Sequence, residues 1–250
     1  MFEKIPSDRG ERWQLMASVI NLWLRPLADK DAVLPEELDQ AEKRIGHQFP
    51  LALREWFQLA GNAHDIWSRQ DRLFPHGFNV RNNVLVFCTE NQGIWRMGVE
   101  LGGQDPIDPP VVGWMDEACA GPHEFGQLNS SVSECGLQYL AWAMKYATRN
   151  RDFACYLGDD FARNGGMGSW QQDTMSLIQQ HCVRCAFPTW RLWGWDNVFY
   201  EKTDLLIQVC HSDPVYPQIY VCPRTRASLE WFEKAVRKTG FRWSSGRWYA

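Results

Sequence analysis

Apolar positions recur at helical spacing through the first quarter of the chain and then give way to short apolar runs. Across Glu11–Leu27, Leu15, Val19, Leu22 and Leu24 fall at helical intervals and Pro26 closes the pattern, which predicts a first helix. Leu34-Pro35-Glu36-Glu37 opens a second, since proline and acids suit a first turn; Leu38, Ala41 and Ile45 make its apolar face and Gly46 its stop. A third begins after Phe49-Pro50, with Leu51, Leu53, Trp56, Phe57 and Leu59 aligned before Gly61-Asn62. The period then changes. Asn83–Cys88 and Ile94–Val99 read as strands joined through Glu90-Asn91-Gln92-Gly93, an antiparallel hairpin. Asp105-Pro106-Ile107-Asp108-Pro109-Pro110 is a stiff connector to a short strand at Val111–Trp114, and Ser131–Tyr146 returns to helix.

Residues 149–185 are polar and hold Gly165-Gly166-Met167-Gly168, a loop or internal boundary. Beyond them Leu205–Val209 and Gln218–Cys222 are expected as strands, Leu229–Val236 as a basic helix and Phe241–Tyr249 as a last strand. No fixed-period repeat is visible. Helices, then a meander, then a helix predict an α+β fold: an antiparallel sheet flanked by helices, with a C-terminal α+β extension. The expected divisions are an N-terminal helix (1–33), a core (34–148) and an extension (149–250), the last either separate or packed on the core as one domain.

Composition adds little except in tryptophan and charge. At 250 residues the chain can bury a full core without disulfides or metal. Fourteen tryptophans are many for that length, and such rings fill cores or anchor interfaces. No apolar run approaches the roughly 20 residues that span a bilayer. The opening MFEKIPSDRGERWQ is charged and unlike a secretory signal, so the eight cysteines are expected to be reduced thiols in the cytoplasm. Asn129-Ser130-Ser131 matches a glycosylation acceptor, a chance match in that compartment.

The net charge of −4 hides an uneven distribution. Met97–Met144 contains no lysine or arginine but seven acids: Glu100, Asp105, Asp108, Asp116, Glu117, Glu124 and Glu134. The segment Pro223–Ala250 carries seven basic residues against Glu230 and Glu233. The acidic stretch disfavours nucleic acid and suits a basic protein partner; the alternative is a solvated face. If it is a contact face, Asp105, Asp108, Asp116, Glu117 and Glu124 are its charges and Trp114 its aromatic anchor.

Candidate chemistry is sparse. His181-Cys182-x-x-Cys185 with Cys210-His211 and Cys222 could supply a tetrahedral zinc set, although the second half lacks its own Cys-x-x-Cys. Buried thiols are the alternative. His64-Asp65 and His76 could make a general-base site with Glu90, or be solvated and capping side chains. Hydrolase and nucleotide-loop signatures are missing, and no cofactor or small-molecule substrate is implied. Trp56 and Trp142 fall on apolar helix faces, whereas Trp190, Trp193 and Trp195 are too close together to share one. Arg242, Trp243, Arg247 and Trp248 fit an edge strand with cation–π packing, or a single-stranded nucleic-acid surface.

Leu34–Tyr146 resembles the SUKH superfamily of Smi/Knr-like proteins. The resemblance rests on Ile45-Gly46 before Phe49-Pro50 and Leu53-Arg54-Glu55-Trp56-Phe57, and on Ala60-Gly61-Asn62. It continues in the hairpin at Glu90–Gly93 with Asp108-Pro109-Pro110-Val111, and in Leu128–Glu134 before the closing helix. It implies an α+β fold used for protein binding and, as in many bacterial members, an immunity protein that neutralises a toxin, often a nuclease. It brings no catalytic residues. The alternatives are a regulatory scaffold with several partners and a metal-dependent enzyme built on the His and Cys positions of the C-terminal half.

Overall fold

The computed structural model describes residues 1–67, 71–73, 77–93, 95–103, 105–115, 126–147, 154–156, 169–192, 195–212 and 218–237. The chain divides into two compact units, Pro6–Ala147 and a second made of Met1–Ile5 with Thr148–Ala250.

The first unit opens with α1 (Arg9–Val19), capped by the Asp8 carboxylate, which accepts from the Glu11 amide at 2.9 Å. The expected apolar stripe does not run straight through to Leu24. Residues Ile20–Leu24 form a π turn, with the Arg25 amide reaching back to the Ile20 carbonyl at 3.0 Å. Trp13, Met16, Val19, Ile20 and Leu24 are buried at helical spacing, and Leu22, two residues from Ile20 and so on the opposite side, is 62% exposed. The helix is no separate module. Trp13 donates to Glu55 at 2.8 Å, and Arg9 pairs with the same carboxylate at 2.7 Å.

Helix α2 (Pro35–Ile45) has proline in its first turn and stops at Gly46, whose φ of +74° a side chain would resist. It is followed by α3 (Leu51–Ala60) and the single turn α4 (His64–Trp67). The strands are β1 (Asp71–Leu73), β2 (Asn79–Arg81), β3 (Val84–Glu90), β4 (Trp95–Glu100), β5 (Val111–Met115) and β6 (Gly126–Asn129). They form an antiparallel sheet in the order β1-β3-β4-β5-β6, with β2 also pairing β3. Its centre is tight at Gly98, where a Cβ would lie 2.5 Å from the Leu85 carbonyl oxygen. Helix α5 (Val132–Ala147) closes the unit.

Trp56 of α3 is the aromatic centre of this unit. Its ring lies 5.8 Å from that of Trp67, 5.9 Å from Phe87, 6.0 Å from Tyr139 and 6.3 Å from Trp13. One side chain thus ties α1, α3, α4, α5 and β3 together, and all of these rings are nearly or fully buried.

The second unit contains β7 (Ala154–Tyr156), α6 (Ser169–His181), β8 (Val183–Arg184), β9 (Trp190–Leu192), β10 (Trp195–Lys202), β11 (Leu205–Ser212), β12 (Gln218–Pro223) and α7 (Arg226–Val236). Its antiparallel sheet runs β7-β12-β11-β10-β8, with β9 also pairing β10. Ile178 and Cys182 pack with Leu229, Phe232 and Val236 against Ile207, Val209, Ile219 and Val221 on one face. The polar segment 149–185, expected as a loop or internal boundary, begins just after the division between the units and contains a helix and two strands. The expected strand at Phe241–Tyr249 lies outside the described residues, as do the Arg242, Trp243, Arg247 and Trp248 cluster and Gly165–Gly168.

The two units share part of their order of elements: a helix, two short strands side by side on one long strand, and a hairpin, followed by β5 and β6 in the first unit and by β12 alone in the second before a closing helix, while β7 precedes the helix in the second. The sequence shows no repeat because the likeness lies in topology rather than in residue identity.

One charge network in the first unit has a pH consequence. Arg25 holds both oxygens of Asp31 at 2.6 and 2.9 Å and those of Asp65 at 2.6 and 2.7 Å. The hydrogen bonds from Arg25, with one from the Ala28 amide, hold the Asp31 carboxyl below its ordinary 3.8 against the opposing effect of burial. Because the folded pKa is the lower one, the stabilisation is complete above about pH 4 and is lost as pH falls through the folded value. Asp31→Asn is expected to cost roughly 1.5–3 kcal/mol at pH 7 and to flatten the acid limb of stability, measured by urea denaturation between pH 2 and pH 7. An unchanged acid limb would assign the acid sensitivity to other carboxylates.

Candidate functional site

The connector after β4 is fixed at two places by hydrogen bonds to helix ends. Helix α3 has no side-chain cap: its Leu51 and Ala52 amides donate to the Pro106 and Ile107 carbonyls at 3.3 and 2.8 Å. Four amides at a helix start lack intrahelical acceptors, so this docking satisfies groups that would otherwise need water. Asp108 does the same for α5, accepting from the Ser133 amide at 2.9 Å and from the Ser133 hydroxyl. Arg12 braces the arrangement, donating to Ser131 Oγ at 2.8 Å and Ser133 Oγ at 2.9 Å, with Asp108 3.7 Å away.

Between these anchors the chain turns outward. Asp105 accepts from the Ile107 and Asp108 amides through one oxygen, at 2.7 and 3.2 Å, and stays exposed. Ile107 is 48% exposed, and Leu51, whose amide bonds the neighbouring Pro106 carbonyl, is 43% exposed. Exposed Ile107 and Asp105 therefore sit on a loop within the stretch that contains no lysine or arginine, and exposed Leu51 stands beside them at the start of α3. Among the described residues no comparable acidic loop carries exposed large apolar side chains on both sides of one docking contact.

The contact residues expected from the sequence divide three ways. Asp105 is exposed as a contact requires. Asp108 is half-buried, and its carboxylate serves the cap of α5, so it is a scaffold group rather than a docking charge. Trp114 lies on β5 in register with Arg96 of β4, and its side chain lies outside the description. Asp116, Glu117 and Glu124 fall outside the described residues. Leu51, Ile107 and Arg12 were not legible as site residues. Leu51 has the spacing of a core position in α3, and Arg12 lies 119 and 121 residues from the serines it holds.

The cysteines do not assemble as the zinc reading requires. Cys182 packs with Ile207, Val209, Ile219 and Val221 on the helix-covered face of the second sheet. Cys210 and Cys222 alternate with those residues along β11 and β12, which puts them on the other face. Cys210 donates to Asn197 Oδ1 at 2.9 Å and accepts from Gln208 Nε2 at 3.2 Å. Burial pushes the Cys182 thiol up to about 11 and the Cys185 thiol higher still, the opposite of what a reactive redox thiolate needs. His211 lies on β11 opposite Asp196. Among the described residues no group of three or more His, Cys, Asp or Glu side chains is placed to hold a metal ion.

The general-base alternative is no better supported. Both oxygens of Asp65 accept from Arg25, Glu90 is 3% exposed and accepts from the Gln92 amide, and His76 lies outside the described residues. Asn129 is 1% exposed and bonds Gln138 at 2.8 Å, so it cannot carry a glycan. Trp56 and Trp142 are buried as their spacing implies, and so is Trp190; no helix among the described residues is long and apolar enough to cross a membrane.

No protein-family model, curated protein or solved structure matches this chain.

The two aspartates of the connector are expected to separate in a stability measurement. Asp108→Ala removes a helix cap and is expected to cost about 1–2 kcal/mol. Asp105→Asn keeps the turn and is expected to stay within about 0.5 kcal/mol of the parent. Equal costs in urea denaturation followed by tryptophan fluorescence would show that Asp108 does not anchor the loop.

Proposed function

We propose that the chain is a non-catalytic protein-binding module that neutralises a basic partner by covering its working surface. The observation that carries this reading is the connector loop, held at both ends by hydrogen bonds, which presents Ile107 and Asp105 from a stretch of 48 residues without lysine or arginine, beside exposed Leu51 at the start of α3. Acidic charge steers a cationic partner and sets the association rate, while exposed apolar side chains on a rigid support provide contact area at little ordering cost.

Within this reading the resemblance to the SUKH superfamily suggests an immunity protein, and the partner is a toxin, of which a nuclease is one type. A nuclease surface is cationic because it must hold phosphates, which fits an acidic cover. Neutralisation is by occlusion, with no bond made or broken. The site of action is the cytoplasm, where eight cysteines stay reduced.

The test is capture of the partner from the source cells with the tagged chain, followed by binding kinetics at low and high salt. Replacing Asp105, Asp116, Glu117 and Glu124 with amides is expected to slow association about tenfold at low salt and to flatten its salt dependence. Ile107→Ala is expected to leave association unchanged and to speed dissociation about five- to tenfold, as for an anchor worth about 1 kcal/mol or more. Kinetics untouched by both variants would contradict the choice of surface.

A further inference from the structure

Residues 1–5 belong to the second unit, although Pro6 begins the first. They attach as a peptide would. The Phe2 side chain is completely buried, with its ring 4.9 Å from Phe187, which in turn lies 5.9 Å from Phe199. The Phe2 carbonyl accepts from the Ala186 amide at 2.8 Å. Glu201, 6% exposed, accepts from the Met1 amino group and from the Phe2 and Glu3 amides, each at 2.7 Å. The Glu3 and Lys4 side chains are exposed and take no part.

The chemistry is that of a built recognition site. Among the described residues every hydrogen bond to the Glu201 carboxylate comes from this arm, and its ion-pair partner is the Met1 amino group rather than a lysine or arginine side chain. A carboxylate buried in this way needs an occupant, because an unpaired charge out of water is costly. Phe187 and Phe199 belong to the same unit as Glu201 and provide the apolar half of the pocket. The occupant reads as one cationic group, one aromatic side chain and extended backbone. Capture of a chain-terminal charge is one general mode of peptide recognition, and here a carboxylate takes the amine while an aromatic pocket takes the next side chain.

We propose that Glu201, Ala186, Phe187 and Phe199 form a peptide-binding pocket for an extended segment bearing a cationic group followed by an aromatic residue. Residues 1–5 fill it in cis, standing in for a partner segment of that chemistry. The arm is a competitor: an occupant delivered in trans must displace a tethered segment whose effective concentration lies in the millimolar range. This pocket is in the second unit, and the inference does not rest on the acidic connector of the first.

The test uses the full-length chain and a synthetic peptide of residues 1–6 with a fluorophore at its C-terminus. Phe2→Ala frees the pocket of its own anchor, so that variant is expected to bind the peptide saturably, at least tenfold more tightly than the parent chain. Adding Glu201→Gln is expected to weaken binding at least tenfold. A folded Phe2→Ala chain that does not bind, or one indifferent to Glu201→Gln, overturns the proposal. If Phe2→Ala does not keep its circular dichroism spectrum, the parent chain carries the test with isotopically labelled peptide in excess. Saturable loss of amide protection at the chain's own residues 1–5 then supports the pocket, and unchanged protection overturns it.

Discussion

The first unit depends on how two helix starts are satisfied. The amides that begin α3 and α5 need acceptors, and one proline-rich connector supplies both sets, through the Pro106 and Ile107 carbonyls and the Asp108 carboxylate. The connector is held because the helices require it, and the helices are placed relative to each other because they share it. Pro106, Pro109 and Pro110 reduce the freedom lost when the loop is ordered. The same geometry that secures the fold turns Ile107 and Asp105 outward, so stability and presentation are two consequences of one set of hydrogen bonds.

Both units use one plan, helices on an antiparallel sheet whose long hairpin carries two short edge strands on one side. Different residues fill the plan. In the first, Trp56 gathers five elements around one ring. In the second, aliphatic side chains of β11 and β12 meet α6 and α7, while the opposite face of the sheet holds the polar group of Asn197, Gln208 and Cys210. Strand alternation is also what separates Cys182 from Cys210 and Cys222. A Cys-x-x-Cys spacing cannot report that, since it says nothing about which sheet face a distant cysteine occupies.

How much the sequence disclosed follows from which signals are local. The β3–β4 hairpin, α5 and the stiff connector are legible because turn chemistry and apolar spacing lie within short windows. Helix α6 is not, because Ser169–His181 is largely polar and, among its described side chains, only Thr174 and Ile178 are buried. Leu22 was misplaced because the buried stripe runs through Trp13, Met16, Ile20 and Leu24, and spacing alone admits two apolar faces for that helix. Asp108 was legible as an acid in an acidic run, but its commitment to Ser133, 25 residues away, is a tertiary fact. The arm on Glu201 spans nearly 200 residues and leaves no local trace.

The central claim is that the rigid acidic connector is the surface that meets a partner. Amide hydrogen exchange of the chain, alone and bound to the basic protein it captures from its own cells, tests this directly. The account predicts added protection at residues 51–54 and 105–113. Protection confined to other segments, with these two unchanged, would contradict it.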